Sequence, residues 1–343
     1  MDELEDPEMA LYKALWHACA GPLVTVPQAG QLVLYFPQGH LEQVEANTNQ
    51  VIDLPSYNFP SKILCRVINV QLKAEADTDE VFAQIALLPE PIQDLNSTSE
   101  MEPPLPPEPE FATYSFCKTL RPSDTSIHGG FSVLKRHADE CLPPLDMSMQ
   151  PPKQELVAKD LHGNEWRFEH IFRGQPRRHL LARGWANFVS SKRPVAGDAF
   201  VFLRGENGEL RVGIRRRAMG QQRNLPSSTI SSPADMFHQV LSTAWEALTR
   251  RTIFTISYKP RISPAEFIVP YNKYMESMRS NYSIGTRFQM RFEGEEAADI
   301  MRQDVDPVRW MDSKWRFLKV RWDESMPRPL SERVSPWELE HFD

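Results

Sequence analysis

The sequence predicts a mainly β protein with a minority of helices, in which a barrel-like β module stands between two segments of mixed α and β character. Three observations predict it. Two connectors, EPPLPPEPE at Glu102–Glu110 and MGQQRNLPSSTISSP at Met219–Pro233, cut out residues 111–218. Proline at that density neither pairs in a sheet nor continues a helix. Within the excised stretch apolar residues recur with the two-residue period of half-buried strands. Its charge is also opposite in sign to that of the flanks. At about 150 residues per domain, 343 residues make two or three domains.

Ahead of the first connector, Ala10–Ala20 has helical spacing (Leu11, Ala14, Leu15, Ala18), and Gln31–Phe36 and Lys62–Leu72 read as strands. In the central module Glu165–Phe172 sets Trp166, Phe168, His170 and Phe172 against Glu165, Arg167, Glu169 and Ile171. Ala199–Arg204 and Leu210–Arg215 flank Asn207-Gly208, the favoured two-residue hairpin turn. Phe131–Cys141 and Gly184–Ser191 are the expected helices, and many short strands with two helices suit a small open barrel. Beyond the second connector, Ala234–Leu248 is helical in spacing, with Ser232 and Pro233 as cap and first turn. Thr252–Tyr258, Thr286–Phe292 and the mixed-face run WRFLKVRWDE read as strands.

Overall charge is −7, yet residues 113–217 hold 18 lysines and arginines against 11 aspartates and glutamates, a balance of +7, and five histidines. The remainder stands at −14. Such separation fits one segment facing a polyanion, and a solvated basic face fits the charge alone equally well. No run approaches the ~18 apolar residues of a membrane span. The acidic start MDELEDPEM lacks the basic region of a signal peptide, and four scattered cysteines favour a reducing compartment over a disulfide framework.

The densest motif is Arg173-Gly-Gln-Pro-Arg-Arg-His179, three arginines and a histidine in seven residues with Gly174 and Pro176 in the backbone. An arginine fork can grip guanine O6 and N7 through two hydrogen bonds if a rigid loop holds it in register. A second loop, RPSDTSIHGG at Arg121–Gly130, offers hydroxyls, His128 and two glycines, which suit contact with phosphates or a plain capping turn. Two such loops in one basic module favour DNA recognition. A zinc site would need four ligands, usually in close pairs, and His137, Cys141, Cys117 and His128 supply no CxxC or HxxxH. The thiol–imidazole pairs in HACAG and at Cys117/His128 lack an orienting third group, so neither catalysis nor a cofactor is expected.

The runs FCKTLRPSDTSIHGGFSVLKRHADECLPPLDM, WRFEHIFRGQPRRHLLARGW and VAGDAFVFLRGENGELRVGIRR resemble a plant auxin response factor. So do LYKALWHACAGPLVTVPQAGQLVLYFPQGHLEQV near the start and YKPRISPAEFIVPYNKY, RFQMRFEGEE, SKWRFLKVRWDE and RVSPWELE later. The resemblance implies a B3 domain, a seven-stranded open pseudobarrel with two helices, over residues 111–218. It further implies an α+β dimerisation domain built from 1–110 and 226–282, into which the B3 domain is inserted. A small Tudor-like ancillary β-barrel over 283–343 completes the set, here shortened where EGEEA runs into ADIMRQDVDPVRW.

Carried over residue by residue, the resemblance assigns His128 and Gly129 to a first DNA loop and Arg173, Gly174, Pro176, Arg177 and Arg178 to a second. Lys118 and Ser123 match backbone contacts, and Arg183 occupies a phosphate-contact position where related sequences often carry Thr. Val240, Leu241, Ser242 and Ala244 lie on the dimerisation helix. The implied protein is nuclear, carries no cofactor and regulates auxin-responsive transcription. Its implied partners are double-stranded DNA bearing TGTC auxin response elements and a second copy of itself or a relative, with two chains covering inverted half-sites. The domain that binds Aux/IAA repressors is expected to be absent from this chain, which ends at Asp343. The competing reading is an interaction module that dimerises with longer relatives and seldom touches DNA.

Overall fold

A computed structural model of the chain describes residues 6–48, 60–91, 112–217, 233–263, 265–280, 282–290, 297–303, 313–322 and 331–341. The connector at 102–110, and the second connector apart from Pro233, lie outside the described residues, as does the Ser232 cap. The first elements are α1 (Pro7–Ala20), β1 (Leu32–Tyr35), α2 (Pro37–Thr48), β2 (Ile63–Ala74) and β3 (Val81–Pro89). The central elements are β4 (Thr113–Thr119), β5 (Phe131–Val133), α3 (Lys135–Cys141), β6 (Lys153–Lys159), β7 (Glu165–Arg173) and β8 (Arg178–Leu181). They continue with α4 (Trp185–Lys192), β9 (Ala199–Gly205) and β10 (Leu210–Arg215). The last are α5 (Pro233–Arg250), β11 (Phe254–Tyr258), β12 (Ile268–Pro270), α6 (Tyr271–Arg279), β13 (Arg287–Gln289), β14 (Ala297–Gln303), β15 (Leu318–Trp322), β16 (Arg333–Val334) and β17 (Glu340–His341). The chain divides into two units: residues 1–24, 72–82 and 107–221 form one, and the rest form the other.

In the first unit seven strands form one sheet in the order β4-β9-β10-β6-β7-β8-β5, antiparallel except for the parallel β10–β6 pair. This is the curled, open sheet of the expected pseudobarrel, with α3 and α4 as its two helices. Its interior is aromatic: Phe116, Phe131, Phe168, Trp185, Phe188, Phe200 and Phe202 are all buried, and Phe131 stacks on Trp185 at 4.5 Å. At roughly 2–3 kcal/mol for each large apolar side chain withdrawn from water, these rings dominate the cohesion of the unit.

Helix α1 also belongs to this unit. Asp6 accepts the Glu8 N–H at 3.1 Å as its cap, and Leu11, Leu15 and Cys19 bury one stripe of it towards β9 and β10. Gly213 permits that approach, since a Cβ there would sit 2.6 Å from Cys19 Sγ. The β2–β3 tip reaches the same unit. There Lys192 Nζ bridges Asp79 at 2.8 Å and Asp160 at 2.6 Å, His162 Nε2 lies 2.8 Å from Asp79, and Arg216 joins the Thr78 carbonyl at 2.6 Å to Asp198 at 3.0 Å.

In the second unit β11-β3-β2-β1-β12 form a sheet in which β1 pairs with β2 and β12, and β11 with β3. Strands from before and after the central module therefore complete one sheet. Helix α5 packs on α2 and β11. A third, antiparallel sheet, β16-β15-β14-β13-β17, occupies the C-terminus around Phe288, Leu318, Val320 and Val334, where the shortened barrel is expected. Among the described residues no helix is long and apolar enough to cross a membrane.

Two local expectations change. Phe131–Cys141 is not one helix: Phe131–Val133 pairs with β8, and the helix begins at Lys135. The aromatic and β-branched residues bury alternate positions on a sheet edge, which outweighs the helical spacing behind them. The Asn207-Gly208 turn is looser than a two-residue loop. Gly205 and Glu209 close it, so three residues span the gap, with Gly208 at φ +81° and Asn207 Oδ1 accepting the Glu209 N–H at 3.0 Å.

Candidate nucleic-acid interface

The first loop is held from inside. The indole N–H of fully buried Trp185 donates to the Asp124 carbonyl at 2.9 Å, and the Asp124 carboxylate accepts the Arg121 N–H at 3.0 Å. Thr125 Oγ1 donates to the Pro122 carbonyl at 3.0 Å, and Ser126 Oγ accepts the His128 N–H at 3.2 Å. Core and local hydroxyls thus fix the backbone while Ser123, His128 and Gly129 stay exposed. Gly130 lies against β8, its Cβ position 3.0 Å from the Leu181 carbonyl and 3.2 Å from Ala182 Cα. The structure thereby brings the His128–Gly130 end of this loop beside the connection carrying exposed Arg183. That connection turns at Gly184, φ +92°, where a Cβ would run into the Arg167 carbonyl oxygen.

The second loop is the turn of the β7–β8 hairpin. Arg173 and Arg178 are directly opposite each other in the antiparallel register, and Gly174–Arg177 between them are exposed. Like charges placed so cost about 0.2–1 kcal/mol against folding. Among the described residues Arg173, Arg177 and Arg178 have no acidic partner, unlike Arg167, which pairs with Glu155 and Glu165, Arg211 with Glu8 and Glu209, and Arg216 with Asp198. Arg177 lies over the Phe172 ring at 6.0 Å. The hairpin thus gathers three guanidinium groups without an acidic partner within six residues.

The two loops sit at opposite ends of β8. Arg178 opens that strand and Leu181, against Gly130, closes it. Three residue steps of a strand separate them, about 10 Å.

Lys118 has a role inside the fold. It lies on β4, one outer strand of the sheet, and its Nζ donates to the Ser132 carbonyl on β5, the other outer strand, at 2.6 Å. The same ammonium sits 4.3 Å over the Phe131 ring and 4.0 Å from Asp124. Partial burial lowers its pKa, and Asp124 opposes that shift. Lys118 is thus a tie between the open edges of the pseudobarrel.

The residues of the dimerisation helix separate by face. Leu241, Ala244 and Ala247 are buried within their own unit, Ala244 completely; Val240 is half-buried and Ser242 exposed. Trp245, next to buried Ala244 and at the flank of the same buried stripe, is 47% exposed, and no sequence signal marks it.

The sequence also leaves His179 without a role. Its ring Nδ1 is 3.0 Å from His170 Nε2, and its ring centroid is 4.6 Å from that of Phe172. The available signal is the two-residue period that puts His170 and Phe172 on one face, but the register joining them to His179 is a tertiary fact.

Comparison with known proteins places this geometry. Residues 116–218 match the B3 DNA binding domain, and residues 267–343 match the auxin response factor ancillary domain. The chain is 68% identical to auxin response factor 2A of Solanum lycopersicum and 68% identical to auxin response factor 2 of Arabidopsis thaliana, in each case over 98% of this chain and 40% of the relative. Auxin response factor 23 of Oryza sativa subsp. japonica is 65% identical over 97% of this chain and 40% of the relative. The chain spans about 40% of the length of these relatives. With a B3 module, an ancillary module and near-complete alignment across both, the chain belongs to the auxin response factor family.

Proposed function

We propose that this chain is a nuclear, sequence-specific DNA-binding regulator of auxin-responsive transcription that reads TGTC-containing elements, as a dimer, on inverted repeats. The observation that carries the reading is the uncompensated Arg173/Arg178 pair at the mouth of an exposed hairpin. A folded unit that opposes two cations at some cost in stability is matched to a polyanion. The first loop, which presents His128 and Gly129, meets the far end of β8 at Gly130, about 10 Å along the strand from Arg178, a span that fits within a major groove about 12 Å wide. Arginine forks on one side read guanine while the other loop and Arg183 meet phosphates.

The dimer reading rests on family membership and on the exposed side of α5. Ala244 is buried in its own unit, so a charge there is expected to damage folding. Trp245→Glu tests the outer face instead. In anisotropy titrations the chain is expected to bind an inverted TGTC pair at least ten-fold more tightly than one half-site, through the effective concentration of the second contact. Trp245→Glu should reduce the pair to the single-site level and leave single-site affinity unchanged. Equal affinity of the unmodified chain for paired and single sites would defeat the dimer reading; equal affinity for TGTC and scrambled duplexes would favour the interaction-module alternative.

A further inference from the structure

Behind the β7–β8 hairpin lies a chain of hydrogen bonds that base reading does not itself require. Gln154 Nε2 donates to the Pro143 carbonyl at 2.6 Å and lies 3.3 Å from His170 Nδ1, and His170 Nε2 lies 3.0 Å from His179 Nδ1. The contact with Pro143 fixes the amide, because the carbonyl oxygen of Gln154 could not face another carbonyl at that distance. The second amide hydrogen then goes to His170 Nδ1. A neutral His170 must carry its proton on Nε2 and donate it to His179 Nδ1, so His179 in turn is protonated on Nε2. Three side chains from β6, β7 and β8 have one consistent set of proton positions.

We propose that this Gln154–His170–His179 relay holds the β7–β8 hairpin in its reading register, with His179 as a positioning residue that acts only in its neutral form. The proposal rests on the reading of this hairpin as the base-contacting element. His179 directly follows Arg178 on β8, and its ring sits across from Phe172, the residue preceding Arg173. Movement of the ring therefore moves the strand ends that carry both arginines. A proton added to His179 Nδ1 sets two N–H groups against each other and breaks the link.

Burial, then the neighbouring His179, pushes the pKa of His170 down to about 4, so it remains the neutral donor through mild acid. Burial also lowers His179; Asp139 of α3 raises it and Lys135 of α3 lowers it. The other element beside β8, β5, consists of Phe131, Ser132 and Val133 and brings no titratable group. The sign follows: the relay is complete at neutral pH and is lost as pH falls below the ordinary histidine range.

Two measurements test it. Imidazole nitrogen NMR of the full chain near neutral pH should show both His170 and His179 as Nε2–H tautomers; an Nδ1–H form of either overturns the relay. Anisotropy titrations then compare TGTC with scrambled duplex at about pH 7.5 and about pH 5. For the unmodified chain the ratio of specific to nonspecific affinity should fall at least three-fold on acidification. In His179→Asn, whose Oδ1 takes the place of Nδ1 and does not protonate, the ratio should stay high at both values. In His179→Ala it should be low at both, with a cooperative melting transition showing that the chain is still folded. An equal fall in the unmodified chain and His179→Asn assigns the effect to another group and overturns the proposal, as does His179→Ala binding like the unmodified chain. A chain with no TGTC preference at neutral pH defeats the base-reading assignment, whereas the tautomer spectrum judges the relay independently.

Discussion

Arg173→Ala and Arg178→Ala are each expected to weaken binding to a TGTC duplex by about 1–3 kcal/mol, roughly five- to 150-fold. Binding to scrambled DNA should fall much less, because its affinity comes from many Lys and Arg contacts with phosphate. The opposed register adds a second readout. Each substitution also removes a like-charge contact worth about 0.2–1 kcal/mol, so the thermal transition should hold or rise slightly while specific binding collapses. Anisotropy titration beside a thermal melt measures both. Parallel loss of specific and nonspecific binding would mean the hairpin only touches backbone.

The largest expected loss of stability comes from Lys192→Met. The ammonium is 8% exposed and stands between Asp79 at 2.8 Å and Asp160 at 2.6 Å. Burial works to raise the Asp160 carboxyl, but hydrogen bonds from Lys192, Trp166 and Asn164 and the Lys192 charge hold it below the usual range. Removing the amine leaves two carboxylates facing each other in a dry site, a loss of about 3–5 kcal/mol. Asp79 also sits at φ +53°, a left-handed conformation that the surrounding bonds must maintain. Because the folded pKa of Asp160 is depressed, its contribution is present above the carboxylate's unfolded value and vanishes as pH falls through the folded one. A denaturant titration followed by tryptophan fluorescence should show an earlier transition in Lys192→Met. The acid sensitivity that Asp160 confers should shrink in the same variant. A shift under about 0.5 kcal/mol would reduce the cluster to ordinary surface charge.

Local order was legible wherever a residue's neighbours in sequence were also its neighbours in space. The alternation of Trp166, Phe168 and His170 gave β7 to within a residue, and helical spacing gave α1 and α5. Phe131–Val133 was read as helix because its strand partner, β8, lies some fifty residues downstream and no local period reveals it. Strand β3 buries every second residue, Val81, Ala83, Ile85, Leu87 and Pro89, but the intervening Phe82, Ala86 and Leu88 are apolar too, so the sequence shows no clean alternation there. The same limit governs the site. The arginine-rich turn is visible as a motif, but the opposition of Arg173 to Arg178, the anchoring of Asp124 by Trp185, the use of Lys118 as an edge tie and the inward face of Ala244 are properties of register and packing.

Base reading by an arginine fork is tested most directly by altering the base rather than the protein. Replacing the TGTC guanine with 7-deazaguanine keeps the base pair and the O6 acceptor and removes only the N7 acceptor that a fork requires. Anisotropy titrations would compare this duplex with the unmodified one at fixed salt, for the unmodified chain and for Arg173→Ala/Arg178→Ala. The account predicts a loss of about 1–3 kcal/mol for the unmodified chain and little further loss for the double variant. Unchanged affinity of the unmodified chain for the 7-deazaguanine duplex would contradict it.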